Sequence, residues 1–272
     1  VSLRREDRRP GGSARGGRMV VLIGLLLTGG AAAQSDPAGF ANVIDVPPAV
    51  IGFGETLADD TQLNVLPAGE VGALLTVGQL YLPGRNVEIN LLGGTILDGL
   101  QVLGQAVINV DDGTLVDVQA DSGVEIHLRG GTIGALSAIS GFEAPTVMTM
   151  TGGILGAFFD IDAGARLDYA GGDIDERLEV FAGGTLNIIG NDFELDGAPL
   201  DGLAVGVPVE ISQRGGALLE GRLANGEGFA FVLDEVPDDE LNDVFYPGAT
   251  VTVTLQPAEV LFRDGFEPGA SS

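Results

Sequence analysis

The chain has 272 residues, 39 of them acidic against 13 basic, with one histidine, no cysteine, no tryptophan and a formal charge of −26. So acidic a surface repels phosphate and excludes nucleic acid as a partner. Without cysteine there is no disulfide framework and no thiol chemistry, and because every basic residue is Arg there is no lysine-based catalysis either.

Six Arg precede residue 19, and an apolar run over 19–27 follows at once. Ala31, Ala32 and Ala33 then supply small residues for a signal peptidase, so residues 1–33 are expected to be a signal peptide cleaved after Ala33. The apolar run is shorter than the roughly 20 residues a membrane span needs, and no Cys follows it for lipid attachment. The mature chain is expected to be exported, to the outer cell surface, the extracellular space or the periplasm, and not to span a membrane. Cleavage removes more Arg than acid, leaving the chain more acidic still.

Residues 34–60 carry Pro37, Pro47 and Pro48 and read as a linker leading into an N-terminal cap. From residue 61 one phrase recurs: apolar, polar, apolar, then a glycine-rich corner. Its copies are centred on Asn64, Asn90, Asn109, His127, Thr149, Asp168 and Asn187, with corners at positions 67, 93, 112, 130, 152, 171 and 190. Successive corners are 26, 19, 18, 22, 19 and 19 residues apart. Alternation over three to five residues is the period of a β-strand, and a near-constant repeat of this size marks a solenoid. The predicted fold is all-β, a single-stranded β-helix (β-solenoid) of about seven turns over 61–191, with about 19 residues per turn. The longer spacings place loops near 81–84 and 141–145. A second inward apolar pair is expected in each turn: Leu100 and Val102, Val118 and Ala120, Leu136 and Ala138, Phe159 and Ile161, Leu178 and Val180.

The seven central polar residues fall in one column. Alternation aims them outward, where stacked Asn side chains can hydrogen-bond from turn to turn, as a structural ladder or as a binding stripe. After Asn191 the rhythm stops. A strand near 207–212, a hairpin of 217–223 and 229–233 around Asn225-Gly226, and a strand over 251–255 make a C-terminal β cap, 192–255. It is expected to cover the open end of the stack. Residues 256–272 form a tail.

Chemistry-bearing residues are few. His127 stands in the ladder column, and no serine sits in a nucleophile-elbow sequence. Asp160, Asp162, Asp173, Asp175 and Glu176 lie on two successive turns and form a candidate cation or glycan face. Paired carboxylates serve glycoside hydrolysis, and their oxygens suit calcium. No nonapeptide or EF-hand calcium sequence accompanies them, no catalytic residue is assigned, and no cofactor other than calcium is implied.

The phrases around Gly123, Val124, Glu125, Ile126, His127 and Leu128, and around Gly184, Thr185, Leu186, Asn187 and Ile188, resemble the S-x-V-N-I-S-G-G repeats of exported bacterial β-solenoid proteins, some of which carry PEP-CTERM sorting tails. The resemblance covers about 61–255 and does not extend to that tail, since no Pro-Glu-Pro and membrane helix follow. It implies no catalytic residues. The expected function is a non-enzymatic structural or adhesive element of the cell surface or matrix, with matrix polysaccharide as partner. The alternative is a carbohydrate-binding or polysaccharide-degrading β-helix acting through the acidic face.

Overall fold

A computed structural model describes residues 35–79, 82–236 and 242–256. The leader expected at 1–33 and the tail beyond residue 256 lie outside the described residues. The chain is all-β, and its stacked parallel coils form a β-solenoid of about eight turns with about 19 residues in each. In the first sheet, five-residue rungs lie in parallel register from coil to coil: Asn42 over Thr61, Thr61 over Val87, and so on to Arg166 over Thr185. Each coil continues past a glycine corner into a two-residue run such as Thr132–Ile133, turns again, and adds a short run to a second sheet, such as Val118–Asp121 or Ala138–Ser140.

The first rung corrects the expectation for 34–60. Asn42–Val46 pairs in register with Thr61–Val65, so the segment read as linker and cap contains a full coil, raising the count from seven turns to eight. Ile44, Asp45 and Val46 already obey the apolar–polar–apolar phrase. Pro47 and Pro48 fall just after it, at the corner, where no rung needs their missing N–H.

Inward columns fill the coil. Leu63, Ile89, Ile108, Ile126, Met148, Leu167 and Leu186 stack on one side, all fully buried, and Ile96, Leu115, Ile133 and Leu155 on the next. Val77, Val102, Ala120, Ile139, Ile161 and Val180 stack in the second sheet beside Leu75, Leu100, Val118, Phe159 and Leu178, while Leu91, Val110, Leu128, Met150 and Ile188 add a second column to the first. Each large side chain so buried contributes about 1.5–3 kcal/mol. No coil can bury its share without neighbours above and below. The glycine corners let coils approach closely: Gly113 has φ +92°, and a Cβ there would lie 2.2 Å from the Gly94 carbonyl oxygen.

At the corner before the second sheet, one residue adopts a left-handed conformation in most coils. Leu74, Leu136, Phe158 and Arg177 do so with φ between 58° and 67°, in line with Gly54 and Gly99. The backbone N–H of Leu136 donates to Ala157 O at 3.0 Å, and that of Phe158 to Glu176 O at 3.2 Å, tying each corner to the next. This corner corrects one inward pair. Leu136 is 68% exposed because it occupies the left-handed position; the inward slots of that coil belong to Ser137 and Ile139. Ser137 fits inside because its hydroxyl is satisfied, donating to Gly134 O at 2.9 Å and accepting from Val118 N at 3.1 Å. The 18-residue spacing has its explanation at the same place. Between Leu115 and Val118 the coil is one residue shorter, and the Asp117 carboxylate accepts the Gly99 N–H that a backbone carbonyl would otherwise take.

The C-terminal region is more than a cap. Thr250–Leu255 returns to lie parallel on Thr185–Leu195, and Val244–Phe245 lies on Leu178–Val180, so two late segments supply a further set of runs. Pro208–Glu210 then pairs antiparallel on Thr250–Leu255 and ends the stack. The hairpin of Ala217–Leu223 and Gly228–Leu233 extends the first sheet sideways from Gly190–Leu195. It packs Phe229 and Phe231 against Phe193, Tyr169 and Phe245.

Candidate functional site

The polar column occupies equivalent positions throughout. Asp45, Asn64, Asn90, Asn109, His127, Thr149, Asp168, Asn187 and Thr252 are successive register partners. At its start, Asn64 Nδ2 donates to Asp45 Oδ1 at 2.8 Å, Asn90 Nδ2 to Asn64 Oδ1 at 2.9 Å, and Asn109 Nδ2 to Asn90 Oδ1 at 2.9 Å. The Arg129 guanidinium closes this run by donating to Asn109 Oδ1 through both terminal nitrogens, at 3.1 and 3.0 Å. At the far end, Asn187 Nδ2 donates to Asp168 Oδ1 at 2.8 Å and its Oδ1 accepts from Thr252 and Thr254.

His127 and Thr149 interrupt the ladder. His127 turns sideways, its Nε2 3.2 Å from Glu125 Oε1. Burial and the nearby Arg129 charge push its pKa down, outweighing Glu125, so it is neutral at pH 7. Although the column faces away from the apolar core, Asn90 is only 1% exposed and Asn109 3%. Ladder partners above and below, with Glu88 and Arg129 at the sides, enclose them.

Beside the ladder lies a polar pocket that alternation alone does not announce. Gln62 is fully buried and Glu88 is 3% exposed, both on the outward face. Glu88 Oε1 accepts from Asn90 Nδ2 at 2.8 Å, Gln62 Nε2 at 2.9 Å and the Ser35 backbone N–H at 3.2 Å. Gln62 Nε2 also donates to Ser35 O at 3.0 Å. Burial pushes the Glu88 carboxyl up, but the hydrogen bonds from Ser35, Asn90 and Gln62 outweigh it and hold it below the usual range.

The five acidic candidates do not come together. Asp160 and Asp162 point outward from the second sheet, whereas Asp173, Asp175 and Glu176 are exposed on the short run and corner of the following coil. A turn of the coil separates the two groups, so they do not form one face. The neighbour of Asp160 is Glu179, its register partner and one period later in the sequence. Glu179 Oε1 accepts from Tyr246 Oη at 3.0 Å and Arg177 at 3.1 Å, while Asp160 Oδ1 is buried with no hydrogen-bond partner. Burial first, then the Glu179 and Asp162 charges, pushes the Asp160 carboxyl up to about 6. Asp162 is raised by burial and by Asp121. Phe181 and Tyr246 stack beside the group with ring centroids 4.7 Å apart. Small side chains at Ala138 and Ser140 leave a shallow groove of about 110 Å³ between Gln101, Gln119, Asp121 and Asp162.

A second hollow of about 200 Å³ lies between Tyr169, Asp173, Phe229, Phe231 and Asp243. Both are smaller than the ~300–1,000 Å³ of a usual small-molecule pocket. Among the described residues, no three His, Asp or Glu are arranged to hold a metal ion, so the calcium expectation finds no ligand set there. No helix among them is long and apolar enough to cross a membrane. The sequence matches no family model and no curated protein, and no solved structure matches the fold.

Proposed function

We propose that this chain is an exported structural or adhesive element of the cell surface or surrounding matrix. The observation that carries it is where the outward polar side chains are directed. Asn64, Asn90, Asn109, Asp168 and Asn187 bond to one another along the stack instead of converging on a cavity. Such an arrangement stiffens a repeat stack without arranging groups around a reacting atom. The acidic exterior keeps a glycine-rich sheet protein dispersed. Fractionation of producing cells tests the reading: the chain is expected in the envelope or matrix fraction, and cells lacking it are expected to adhere less to matrix. A chain recovered from the cytosol sinks it.

A specific observation favours a second reading, contact with polysaccharide through the second sheet. There Asp160, Asp162 and Glu179 stand beside the Phe181–Tyr246 stack, and sugar rings pack on aromatic faces while carboxylates take their hydroxyls. Screening on a glycan array with a reducing-sugar assay separates the two. Binding that Asp162→Asn and Tyr246→Ala abolish selects the second; a blank array leaves the first.

A further inference from the structure

The tip of the hairpin carries chemistry that the repeat does not use. Asn225 is the one asparagine of the chain followed by glycine; all the others precede Val, Leu, Ile or Asp. Such a pair is the sequence most prone to deamidation, because the unhindered glycine nitrogen can close on the side-chain carbonyl carbon before it. Asn225 and Gly226 are both exposed, so water and hydroxide reach them. The ladder residues Asn64, Asn90, Asn109 and Asn187, by contrast, are buried and precede bulky apolar residues.

The docking of the tip decides whether the reaction runs. Register between Ala165–Ile174 and Thr185–Leu195 ends at Tyr169 and Ile188, and the tip fills the place beyond. There the Asn225 N–H donates to Ala170 O at 3.3 Å and the Ala224 N–H to Ile189 O at 3.0 Å. Glu227 Oε2 accepts from the Gly172 N–H at 2.8 Å and from Asn225 Nδ2. The Asn225 amide rests over Gly171, where any side chain would collide with it. Asn225 Oδ1 accepts from the Glu227 N–H at 2.9 Å, and the Gly226 N–H is spent on Leu223 O at 3.0 Å. Both reacting groups are thus held in hydrogen bonds, and ring closure has to break the turn.

We propose that Asn225 is a deamidation site gated by this docking: the seated tip protects it, and once deamidated the tip no longer seats. In the reaction hydroxide takes the Gly226 amide proton and the nitrogen attacks Asn225 Cγ. The bond from Cγ to the side-chain nitrogen breaks, and that nitrogen leaves as ammonia with a proton from water, giving a succinimide. Water opens the ring to aspartate or isoaspartate, with one more negative charge. The new carboxylate replaces the Nδ2 donor and faces the Glu227 carboxylate, which the Gly172 N–H and Asn225 hold below its usual pKa and therefore ionised. Like charges in contact repel, and the hairpin that carries Phe229 and Phe231 loses its latch on the coil.

The full chain is aged in mildly alkaline buffer, folded and in urea, and peptide mapping by mass spectrometry reads the conversion at Asn225. It is expected to be at least about tenfold slower in the folded chain, where only the open fraction of the tip reacts. Glu227→Ala, which releases the latch on Gly172, is expected to raise the folded rate by about threefold or more. Asn225→Asp, the simpler product, is expected to lower the thermal midpoint by about 2–4 °C, and by less than about 1 °C in a Glu227→Gln background, where the opposing charge is gone. If Asn225→Asp does not fold, the rates in the native chain and in Glu227→Ala decide alone. Equal rates folded and unfolded, or a folded rate indifferent to Glu227→Ala, overturn the inference. So does an Asn225→Asp midpoint that stays put, or that falls equally with Gln at 227.

Discussion

At the scale of single residues, the ladder members differ in what their removal leaves behind. Asn90 is enclosed and bonded to Asn64, Glu88 and Asn109. Truncating it orphans buried partners, and Asn90→Ala is expected to cost about 1–3 kcal/mol in a urea melt. Thr149 stands in the gap of the ladder, so Thr149→Ala is expected to change stability by less than about 0.5 kcal/mol. Asp160 predicts a pH dependence. Its carboxyl, pushed up to about 6, binds a proton more tightly folded than unfolded. Stability from this group is therefore full below the unfolded value of about 4 and is lost as pH rises through about 6. Asp160→Asn is expected to raise the melting midpoint near neutral pH and to leave it unchanged near pH 4, as read by scanning calorimetry. The column from Asn64 to Asn187 is legible in the sequence because period and alternation fix it by local rules. Glu179 beside Asp160 follows from the same period, nineteen residues on. Gln62 and Glu88 are not legible, because the pocket they form includes Ser35, which bonds to both from outside the repeat.

At the scale of the coil, two corner types set the geometry. The glycine corner has no room for a methyl group at Gly113, where the Gly94 carbonyl and a positive φ both oppose it. Gly113→Ala is expected to cost more than about 2 kcal/mol, measured as a fall in the urea midpoint with the slope unchanged. The left-handed corner accepts Leu, Phe and Arg in place of Gly, which hides it from a glycine-based reading. That is why Leu136 and Ala138 read as inward residues when Ser137 and Ile139 are. Alternation alone expects apolar residues inside, yet Ser137 is satisfied there by two backbone groups. The first coil is missed for a related reason. Its prolines suggest a linker, but they stand at a corner, and the rung before them carries the same alternating phrase as the rest.

At the scale of the whole molecule, excess negative charge opposes compaction, while the stacked coils bury one continuous apolar core. Raising sodium chloride from about 10 mM to about 0.5 M shortens the Debye length severalfold. The melting midpoint is expected to rise with it. Calcium chloride at matched ionic strength is expected to give the same midpoint, and a larger rise with calcium would reveal a ligand set beyond the described residues. The stacked architecture is legible because it follows from repetition. Which runs close its far end, and in which direction, is not, because they come from segments that the hairpin region separates from the repeat. That arrangement bears on how the polypeptide is made. Strand Thr185–Leu195 leaves the ribosome well before Thr250–Leu255, the segment that finally lies on it. During the interval its upper row of amides and carbonyls is bare, and a nascent chain arrested there would present a sticky template to its neighbours. Chains shortened before residue 250 should therefore clump during biosynthesis even though every earlier coil is intact.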